Sequence, residues 1–477
     1  MAEGIKILAK RIAIMKKRFD ADAVGNTELG AQKHRPSAHG PSALGTSAAL
    51  TLTLLLFTAL ITTGCDAIFG SKSNPTTDEI FEVGRIDPSL RDTDGYAPVL
   101  PFWGDFDQPT DVFVGFDGFV YVTDAVGLHV LDRADLAPRR TFELPGAVSV
   151  TQDRLLNVYV AARIDTLIQE PPNDQPPTVF NLPAVYKIKN LNGAGPITVL
   201  DTIVHPFDDA SRGTAASRLF RLDRNRPDND ELVQFTGVAI MDDNAIYVSR
   251  TGPRNRTNEL PAPDNTILEF VPEIIDGVRA TTMVNTAQIR ALNPTTPSLV
   301  SAIGVSDITT FTNPPQRDQF PDSRDFILAQ AEEDLEIPFR VLRINVVVTP
   351  DGTIYEPNQQ FLVQDTTRAD GFLYEEFKFS KPSGVAVAGD VTGYIFVVDE
   401  VQHKLYQFKP NGQEGIDPPP AAVDRTRNLT VSFGELGSGP RQFNTPSGVA
   451  YYDNVVYVAD RGNNRISRFK LTTDFED

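Results

Sequence analysis

The sequence predicts an all-β fold, a six-bladed β-propeller built from four-stranded antiparallel blades. The first observation is a unit of four short apolar runs that recurs from Phe102 onward, and repetition at this scale indicates a stacked or circular array. The second is the abundance of turn-forming residues, with 36 Pro and 33 Gly in the 477-residue chain. The third is the lack of helical periodicity after the first 70 residues, which leaves short strands as the main regular element.

Each clear unit contains an apolar tripeptide at the same position. Its members are contiguous apolar residues, and this pattern indicates a strand that is covered on both faces. Sheets that pack face to face around an axis bury their central strands in this way. The tripeptides are Val120-Tyr121-Val122, Val158-Tyr159-Val160, Ile246-Tyr247-Val248, Ile395-Phe396-Val397 and Val456-Tyr457-Val458.

The units follow one another along the chain. The first strands of units one to four are predicted at Asp111–Val114, Ala147–Val150, Gly237–Ile240 and Asp307–Phe311. In unit one, Asp117-Gly118 is a strong hairpin signal between the first two strands. The fourth unit is degenerate, and its last strand is predicted at Gln360–Gln364. Leu429–Phe433 supplies the fourth strand of unit five, and unit six ends at Leu471 with three strands.

Closure of the ring is predicted from the two ends of the repeat region. The sixth unit lacks its outermost strand, and Glu79–Gly84 is a strand-like segment that stands alone before the first unit. This segment is similar to Val431-Ser-Phe-Gly434, a fourth strand. We predict that it pairs beside Ile466–Phe469, so that an N-terminal strand completes the last blade and protects its edge.

Several motifs of the fifth and sixth units resemble a known repeat. They are Pro446-Ser-Gly-Val-Ala, Val456-Tyr-Val-Ala-Asp460, Asn463-Asn-Arg-Ile466, Pro382-Ser-Gly-Val-Ala, Phe396-Val-Val-Asp399 and His403-Lys-Leu405. On these residues the chain resembles the NHL repeat family of six-bladed propellers, over roughly residues 79–471. Asp124, Asp399 and Asp460 follow the tripeptides, and their recurrence indicates a structural hydrogen bond to the next loop.

Residues 1–64 are predicted to be an export signal of the lipoprotein type. The largely apolar run Leu50–Ile61 is followed by Thr62-Thr63-Gly64 and by Cys65, the single cysteine of the chain. In a bacterial lipoprotein signal, which this segment resembles, the cysteine after the cleavage site is acylated. We therefore expect Cys65 to be the lipid attachment site, residues 65–77 to be a flexible tether and residues 78–477 to be the propeller. The alternatives are an uncleaved membrane anchor and a cysteine without a role.

The charge of the chain bears on its partners. The formal net charge is −19 at pH 7, and the basic N-terminal segment makes the remainder more acidic still. Because such a body repels phosphate backbones, nucleic acid is excluded as a partner. We expect a bacterial cell-envelope protein, on the periplasmic side or at the cell surface, whose membrane contact is the acyl anchor.

The long loops are the predicted interaction surface. In such a blade the links between second and third strands, and between blades, emerge on one face, called here the long-loop face. The longest insertions are Arg163–Pro183, His205–Val233, Arg250–Asp264 and Val284–Ser301. Arginine binds carboxylate and phosphate through paired hydrogen bonds, and aromatic residues recur at binding surfaces. The candidate binding residues are Arg218, Arg221, Arg224, Arg250, Arg254 and Trp103.

Each of these candidates has a structural alternative. The arginines have Asp209, Asp223, Asp228 and Asp230 close in the sequence and would pair with them, and Trp103 would pack the linker onto the barrel. The leading hypothesis is nevertheless a non-catalytic interaction module with a protein, peptide or glycan partner and no cofactor.

An enzyme with a divalent cation on the ring axis is the second hypothesis. Propellers that this chain resembles include metal-dependent lactonases and streptogramin-type lyases, whose axial sites need converging His, Glu, Asp or Asn ligands. Among the residues that enter the innermost strands, Asp111 and Asp307 could bind one cation. The third hypothesis is a passive structural component of the envelope.

Overall fold

The computed structural model describes residues 85–86, 95–133, 138–168, 176, 178–193, 195–205, 229–252, 266–289, 291–312, 323–362, 371–416 and 429–471. The chain divides into two units, Met1–Asn74 and Pro75–Asp477, and every described residue belongs to the second. Within the described residues, no helix has the length and apolar character needed to span a membrane.

Strands account for most of the regular structure. In chain order they are β1 Arg85–Ile86, β2 Tyr96–Leu100, β3 Asp111–Val114, β4 Val120–Thr123, β5 Gly127–Leu131, β6 Pro138–Glu143, β7 Ser149–Gln152, β8 Val158–Ile168, β9 Thr178–Lys189, β10 Thr198–Val204, β11 Gln234–Ile240, β12 Ile246–Thr251, β13 Thr266–Ile275, β14 Val278–Gln288, β15 Val305–Thr310, β16 Phe326–Gln330, β17 Val341–Thr349, β18 Gly352–Pro357, β19 Pro382–Val387, β20 Ile395–Asp399, β21 Lys404–Phe408, β22 Pro446–Tyr452, β23 Val455–Asp460 and β24 Arg465–Leu471. A one-turn helix, α1, spans Asn229–Leu232, and short 3₁₀ turns lie at Gln359–Phe361 and Arg461–Asn463.

These strands form a six-bladed propeller, as the sequence predicts. Blades 1 to 4 are the four-stranded sheets β3–β6, β7–β10, β11–β14 and β15–β18; blade 5 is β19–β21, and blade 6 is β22–β24 with β2 and β1. The innermost strands contact one another in the cyclic order β3, β7, β11, β15, β19, β22 and back to β3. All strand pairs within the blades are antiparallel.

The central strands are buried on both faces. The tripeptide aromatics Tyr121, Tyr159, Tyr247, Phe396 and Tyr457 have no measurable exposure. They pack in apolar clusters that join neighbouring blades, as where Tyr159 of blade 2 contacts the core of blade 3. The continuous apolar runs of the sequence are therefore explained by packing between blades.

The ring is closed by an N-terminal strand, but that strand is β2. Tyr96, Ala97 and Pro98 pair with Leu471, Lys470 and Phe469 in turn. β2 thus occupies the position that was predicted for Glu79–Gly84. Those residues themselves lie outside the described part of the chain. The sequence gives no clear strand signal for β2, because Pro98 interrupts its apolar run. Proline is nevertheless tolerated in a strand where its nitrogen is not required to donate a hydrogen bond.

Blades 4 and 5 differ in detail from the prediction. The fourth strand of blade 4 is β18, and the predicted strand Gln360–Gln364 is wrong because Gln359–Phe361 form a 3₁₀ turn. Pro350-Asp351-Gly352 turns the chain back directly after β17, which brings the last strand forward. In blade 5, Phe433 takes the fourth position, with mutual backbone hydrogen bonds to Leu405 of 2.8 and 3.0 Å.

The recurring aspartates are structural, in agreement with the sequence analysis. Asp124, Asp399 and Asp460 have side chains that are almost fully buried. The backbone N–H groups of Ser380 and Lys381 donate to one oxygen of Asp399 at 2.7 and 2.9 Å, and the turn after β20 donates to the other. Each aspartate thereby fixes the incoming link against the turn that precedes the third strand.

Hydroxyl side chains tie neighbouring blades together near the start of the inner strands. In each case a Ser or Thr donates to a backbone carbonyl of the next blade. The bonds are Thr110 to Ala147 (3.0 Å), Thr236 to Val305 (2.6 Å), Ser306 to Pro382 (2.6 Å), Ser383 to Pro446 (2.6 Å) and Ser447 to Pro109 (2.8 Å). The serine of the Pro-Ser-Gly motifs therefore joins blade to blade, including blade 6 to blade 1.

Candidate functional site: an acidic cavity on the ring axis

A cavity of about 560 Å³ lies on the axis of the ring. Its lining comes from the innermost strand of every blade, so no single repeat contains the site. It extends from the start of these strands to the turns that join first and second strands. It therefore runs toward the face opposite to the long-loop face.

Equivalent residues at the start of the six inner strands form a set called here the belt, of which Asp111, Ser149 and Asp307 line one end of the cavity. All six precede the Val or Ile that begins the buried part of the strand. The belt consists of Asp111, Ser149, Gly237, Asp307, Gly384 and Gly448. Asp111 is in blade 1 and Asp307 is in blade 4, so the two carboxylates lie on opposite sides of a six-membered ring.

Both belt aspartates link neighbouring blades. The N–H of Val112 donates to Oδ1 of Asp111 at 2.8 Å, and the N–H of Val150, in blade 2, donates to Oδ2 at 3.0 Å. Asp307 repeats this arrangement with Ile308 at 2.8 Å and with Val385, in blade 5, at 2.8 Å. Four backbone donors therefore fix the orientation of the two carboxylates.

The glycines of the belt are required by the close approach of neighbouring blades. A Cβ atom added to Gly448 would lie 2.6 Å from Oδ1 of Asp111 and 2.7 Å from its Cα. A Cβ atom on Gly384 would lie 2.9 Å from the Cα of Gly448. Because backbone cannot yield as a flexible side chain does, only glycine fits at these two positions. The Gly of the Pro-Ser-Gly motif is thus explained by packing.

The pKa values of both belt aspartates are raised. Burial raises the pKa of Asp111 to about 6, although hydrogen bonds from Val150 and Val112 act in the opposite direction. Burial, together with the charge of Asp111, raises the pKa of Asp307 well above its ordinary range. Both side chains are half-buried, and they line the cavity rather than the outer surface of the protein. A positive charge between them would offset the repulsion that disfavours ionisation.

Two residues beyond the belt, a second ring of side chains surrounds the cavity. Strand residues two apart point to the same face, so the second ring faces the axis as the belt does. It consists of Phe113, Thr151, Ala239, Thr309, Ala386 and Ala450, all of which line the cavity. The small side chains of this ring leave the internal volume open.

The other end of the cavity carries acidic and aromatic groups, called here the rim. Asp390 accepts a hydrogen bond from the hydroxyl of Tyr451 at 2.8 Å. Asp453 lies 3.5 Å from Arg133, whose guanidinium is 4.5 Å from the ring centroid of Tyr452. The sequence analysis missed the rim, because Asp390 and Asp453 were indistinguishable from ordinary turn residues. The available signal was their recurrence in the same turn of successive repeats.

Two candidate binding residues lie inside the protein. Trp103 is 1% exposed; its ring centroid is 5.7 Å from that of Tyr457, and its backbone pairs with Ile466. It packs the linker onto blade 6, as the structural alternative stated, and is not a surface aromatic. Arg250 is fully buried within β12 and is not on an exposed face. The burial of these two side chains was not evident from the sequence, because burial of a loop-flanking residue depends on the neighbouring blade.

The other predicted site residues are not all placed. Cys65, Arg218, Arg221, Arg224 and Arg254 lie outside the described residues, so a protein, peptide or glycan partner on the long-loop face stays a prediction. Asp111 and Asp307, predicted as a cation pair, both belong to the belt. Across the described part of the chain, no group of three or more His, Cys, Asp or Glu side chains is arranged to hold a metal ion.

Comparison with known proteins identifies one repeat. Residues 443–469 match the NHL repeat. No curated protein matches the sequence. Among solved structures, the chain is similar to an auxiliary nutrient binding protein from Bacteroides ovatus, with 10% identity, a TM-score of 0.41 and coverage of 81% of this chain and 74% of that one.

Two enzymes are also among the similar structures. A streptogramin B lyase is 13% identical, with a TM-score of 0.37 and coverage of 78% of this chain and 97% of the lyase. A gluconolactonase from Xanthomonas campestris is 11% identical, with a TM-score of 0.38 and coverage of 81% and 94% respectively. A propeller fold hosts many functions, so these similarities assign none to this chain.

Proposed function

We propose that this chain is a non-catalytic binding protein of the bacterial cell envelope that holds its ligand in the axial cavity. In this proposal the protein is attached to the membrane through an acyl group on Cys65, and the propeller is the binding body. The sequence of the leader supports the anchor, and the geometry of the cavity supports the ligand site.

The observation that carries the proposal is the cavity itself. Its volume of about 560 Å³ lies within the range of roughly 300–1,000 Å³ that is typical of sites for small organic molecules. Its walls combine apolar strand residues with a few fixed polar groups, which is the usual composition of such sites. The belt carboxylates and Ser149 are engaged in hydrogen bonds between blades. Such groups suit a rigid, preformed binding site.

Blocking the cavity tests this proposal. Thr309 faces the cavity from the second ring and is half-buried, so Thr309→Trp fills the space without removing a belt hydrogen bond. Val348→Trp is the matched control, because Val348 is 65% exposed on β17 of the same blade. A small-molecule library is screened against the full-length chain by thermal shift, and hits are measured by calorimetry. We expect hits that bind the control variant and not Thr309→Trp; hits that bind both equally would contradict a cavity site.

A metal-dependent lactonase- or lyase-like enzyme is the second candidate. The observation that favours it is the opposed pair of carboxylates Asp111 and Asp307 on the axis. Elemental analysis of the purified chain tests it, since a stoichiometric divalent ion that is lost in Asp307→Asn would support the enzyme. An ion content that is unchanged by this substitution would reject it.

A further inference from the structure

The charges that line the cavity have one sign. Four carboxylates line it, at Asp111 and Asp307 in the belt and at Asp390 and Asp453 in the rim, and its described lining includes no Lys, Arg or His side chain. Arg133, which is outside this lining, lies 3.5 Å from Asp453, so the other three carboxylates carry the argument. Low-dielectric walls concentrate the field of such groups within a cleft. A cationic ligand is therefore attracted into this space, and an anionic one is repelled.

Aromatic side chains accompany these carboxylates. Phe113 and Phe116 of blade 1 and Tyr451 of blade 6 are half-buried and line the cavity. Tyr452 also lines it, but its ring already contacts the guanidinium of Arg133. The face of an aromatic ring attracts an ammonium group within about 6 Å of its centroid, and the attraction grows when water is excluded. Carboxylates, which accept hydrogen bonds, together with aromatic ring faces form a set of groups that suits an organic ammonium ion.

The protein stabilises such an ammonium group elsewhere with its own side chains. Nζ of Lys378 lies 2.8 Å from Glu375 and 2.7 Å from Glu414. The same atom is 5.6 and 5.8 Å from the ring centroids of Tyr406 and Phe408. Two carboxylates and two rings thus hold one amine in blade 5. The cavity has the same kinds of groups, and its described lining does not supply the amine.

The size of the cavity and the engagement of its carboxylate oxygens favour an organic cation over a metal ion. Calcium takes six to eight oxygen ligands at about 2.3–2.6 Å. Each of the four oxygens of Asp111 and Asp307 already accepts one backbone N–H. Between the belt and the rim, much of the wall is Val, Ala, Ile and Phe. A volume of about 560 Å³ with apolar walls is filled by a molecule with a carbon skeleton.

We infer that the ligand of the axial cavity is an organic cation, a primary or quaternary amine on an apolar skeleton, whose ammonium group lies between Asp111 and Asp307 and whose skeleton packs on the rings near the rim. This inference rests on the proposed function, because it assigns the ligand class of that same site. Charge selects the ligand.

Calorimetry on the full-length chain at pH 8 tests the ligand class with four probes. Benzylamine is the cation, benzyl alcohol is its neutral isostere, benzoate is the anion and calcium chloride supplies the metal alone. We expect benzylamine to bind and the alcohol and benzoate to bind at least roughly 10-fold more weakly, as follows from the loss of a charge-assisted contact. The same amine is then titrated into the variants.

Asp111→Asn with Asp307→Asn should weaken benzylamine binding roughly 10- to 100-fold. The matched control is Glu336→Gln with Glu356→Gln, which changes the net charge equally at exposed positions and should bind as the parent does. Asp307→Asn alone keeps the Asp111 link between blades 1 and 2 and repeats the test if the double variant does not fold.

Each outcome separates the two proposals. If the alcohol binds as tightly as the amine and Thr309→Trp abolishes both, the cavity is the site and the organic-cation inference is overturned. If benzylamine binds unchanged in the Asp variants, or calcium alone binds stoichiometrically at the belt, the inference is also overturned. If no probe of any charge binds, the cavity proposal is overturned with it.

Discussion

Truncation of Tyr96 to alanine should remove a large part of the stability of the ring. Tyr96 is in β2, the strand that closes blade 6, and its side chain is 1% exposed. Its ring lies 6.5 Å from that of Phe396 and 6.2 Å from that of Phe433, both in blade 5. The side chain therefore joins the closing strand of blade 6 to blade 5. Truncation of a buried large aromatic costs about 3–5 kcal/mol, a large share of the roughly 5–15 kcal/mol that stabilises a domain.

Chemical denaturation of the full-length chain at pH 7 measures this loss. The control is Phe377→Ala, because Phe377 is also a large aromatic but is 55% exposed, and it should change the free energy of unfolding by less than about 1 kcal/mol. If Tyr96→Ala stays within about 0.5 kcal/mol of the parent, the closing strand does not hold the ring. A loss in both variants of equal size would show that burial is not the cause.

Three further predictions concern the pairing of β2 with β24, the belt glycines and the belt carboxylates. Ala97→Cys with Lys470→Cys, in a Cys65→Ser background, should form a disulfide because these residues are directly paired. The closed loop spans nearly the whole propeller, so oxidation should raise the free energy of unfolding by roughly 5 kcal/mol. Free thiols after oxidation would contradict the pairing. Gly448→Ala should destabilise by about 1–3 kcal/mol because its Cβ meets Asp111, whereas Gly104→Ala, with no atom within 4 Å of its Cβ, should be neutral in the same thermal melt. Because the pKa of Asp111 rises from 3.8 to about 6 on folding, the folded state favours the protonated carboxyl. The stability that this group contributes to the fold is complete below pH 4 and is lost as the pH rises through 6. The loss is on the order of 3 kcal/mol. Unfolding curves of the parent should therefore fall relative to those of Asp111→Asn between pH 4 and 7, and parallel curves would contradict this.

The parts of the fold that could be predicted are those governed by local pattern. The tripeptide around Tyr247 is continuous and apolar, and it forms a central strand in the structure. The Pro-Ser-Gly motifs mark the inner strands because one backbone geometry recurs there. Closure by an N-terminal strand was predictable as well, because the last unit lacks a strand.

Pairing between strands that are distant in the chain was harder to predict from the sequence. Tyr96–Leu100 closes the ring although Pro98 lowers its strand signal, since burial against blade 5 outweighs local propensity. The turn signal at Pro350-Asp351-Gly352 was present in the sequence. It would have placed the last strand of blade 4 directly after this turn, instead of at Gln360–Gln364.

The candidate site was predictable only at the belt. Asp111 and Asp307 could be selected because polar residues that enter inner strands lie near a propeller axis. The rim was missed, because the recurrence of Asp390 and Asp453 in equivalent turns does not show that they share one cavity, which depends on the curvature of six strands together. The burial of Trp103 and Arg250 likewise depends on neighbouring residues that are distant in sequence.

The most direct measurement of the central claim is an anomalous diffraction map of the protein soaked in para-bromobenzylamine. The bromine locates the ring of the ligand, and the amine lies one methylene beyond the opposite end of that ring. The account predicts a bromine peak inside the axial cavity, on the rim side of Thr309, with the amine directed toward Asp111 and Asp307. A bromine peak confined to the outer surface, or an amine directed away from the belt, would contradict it.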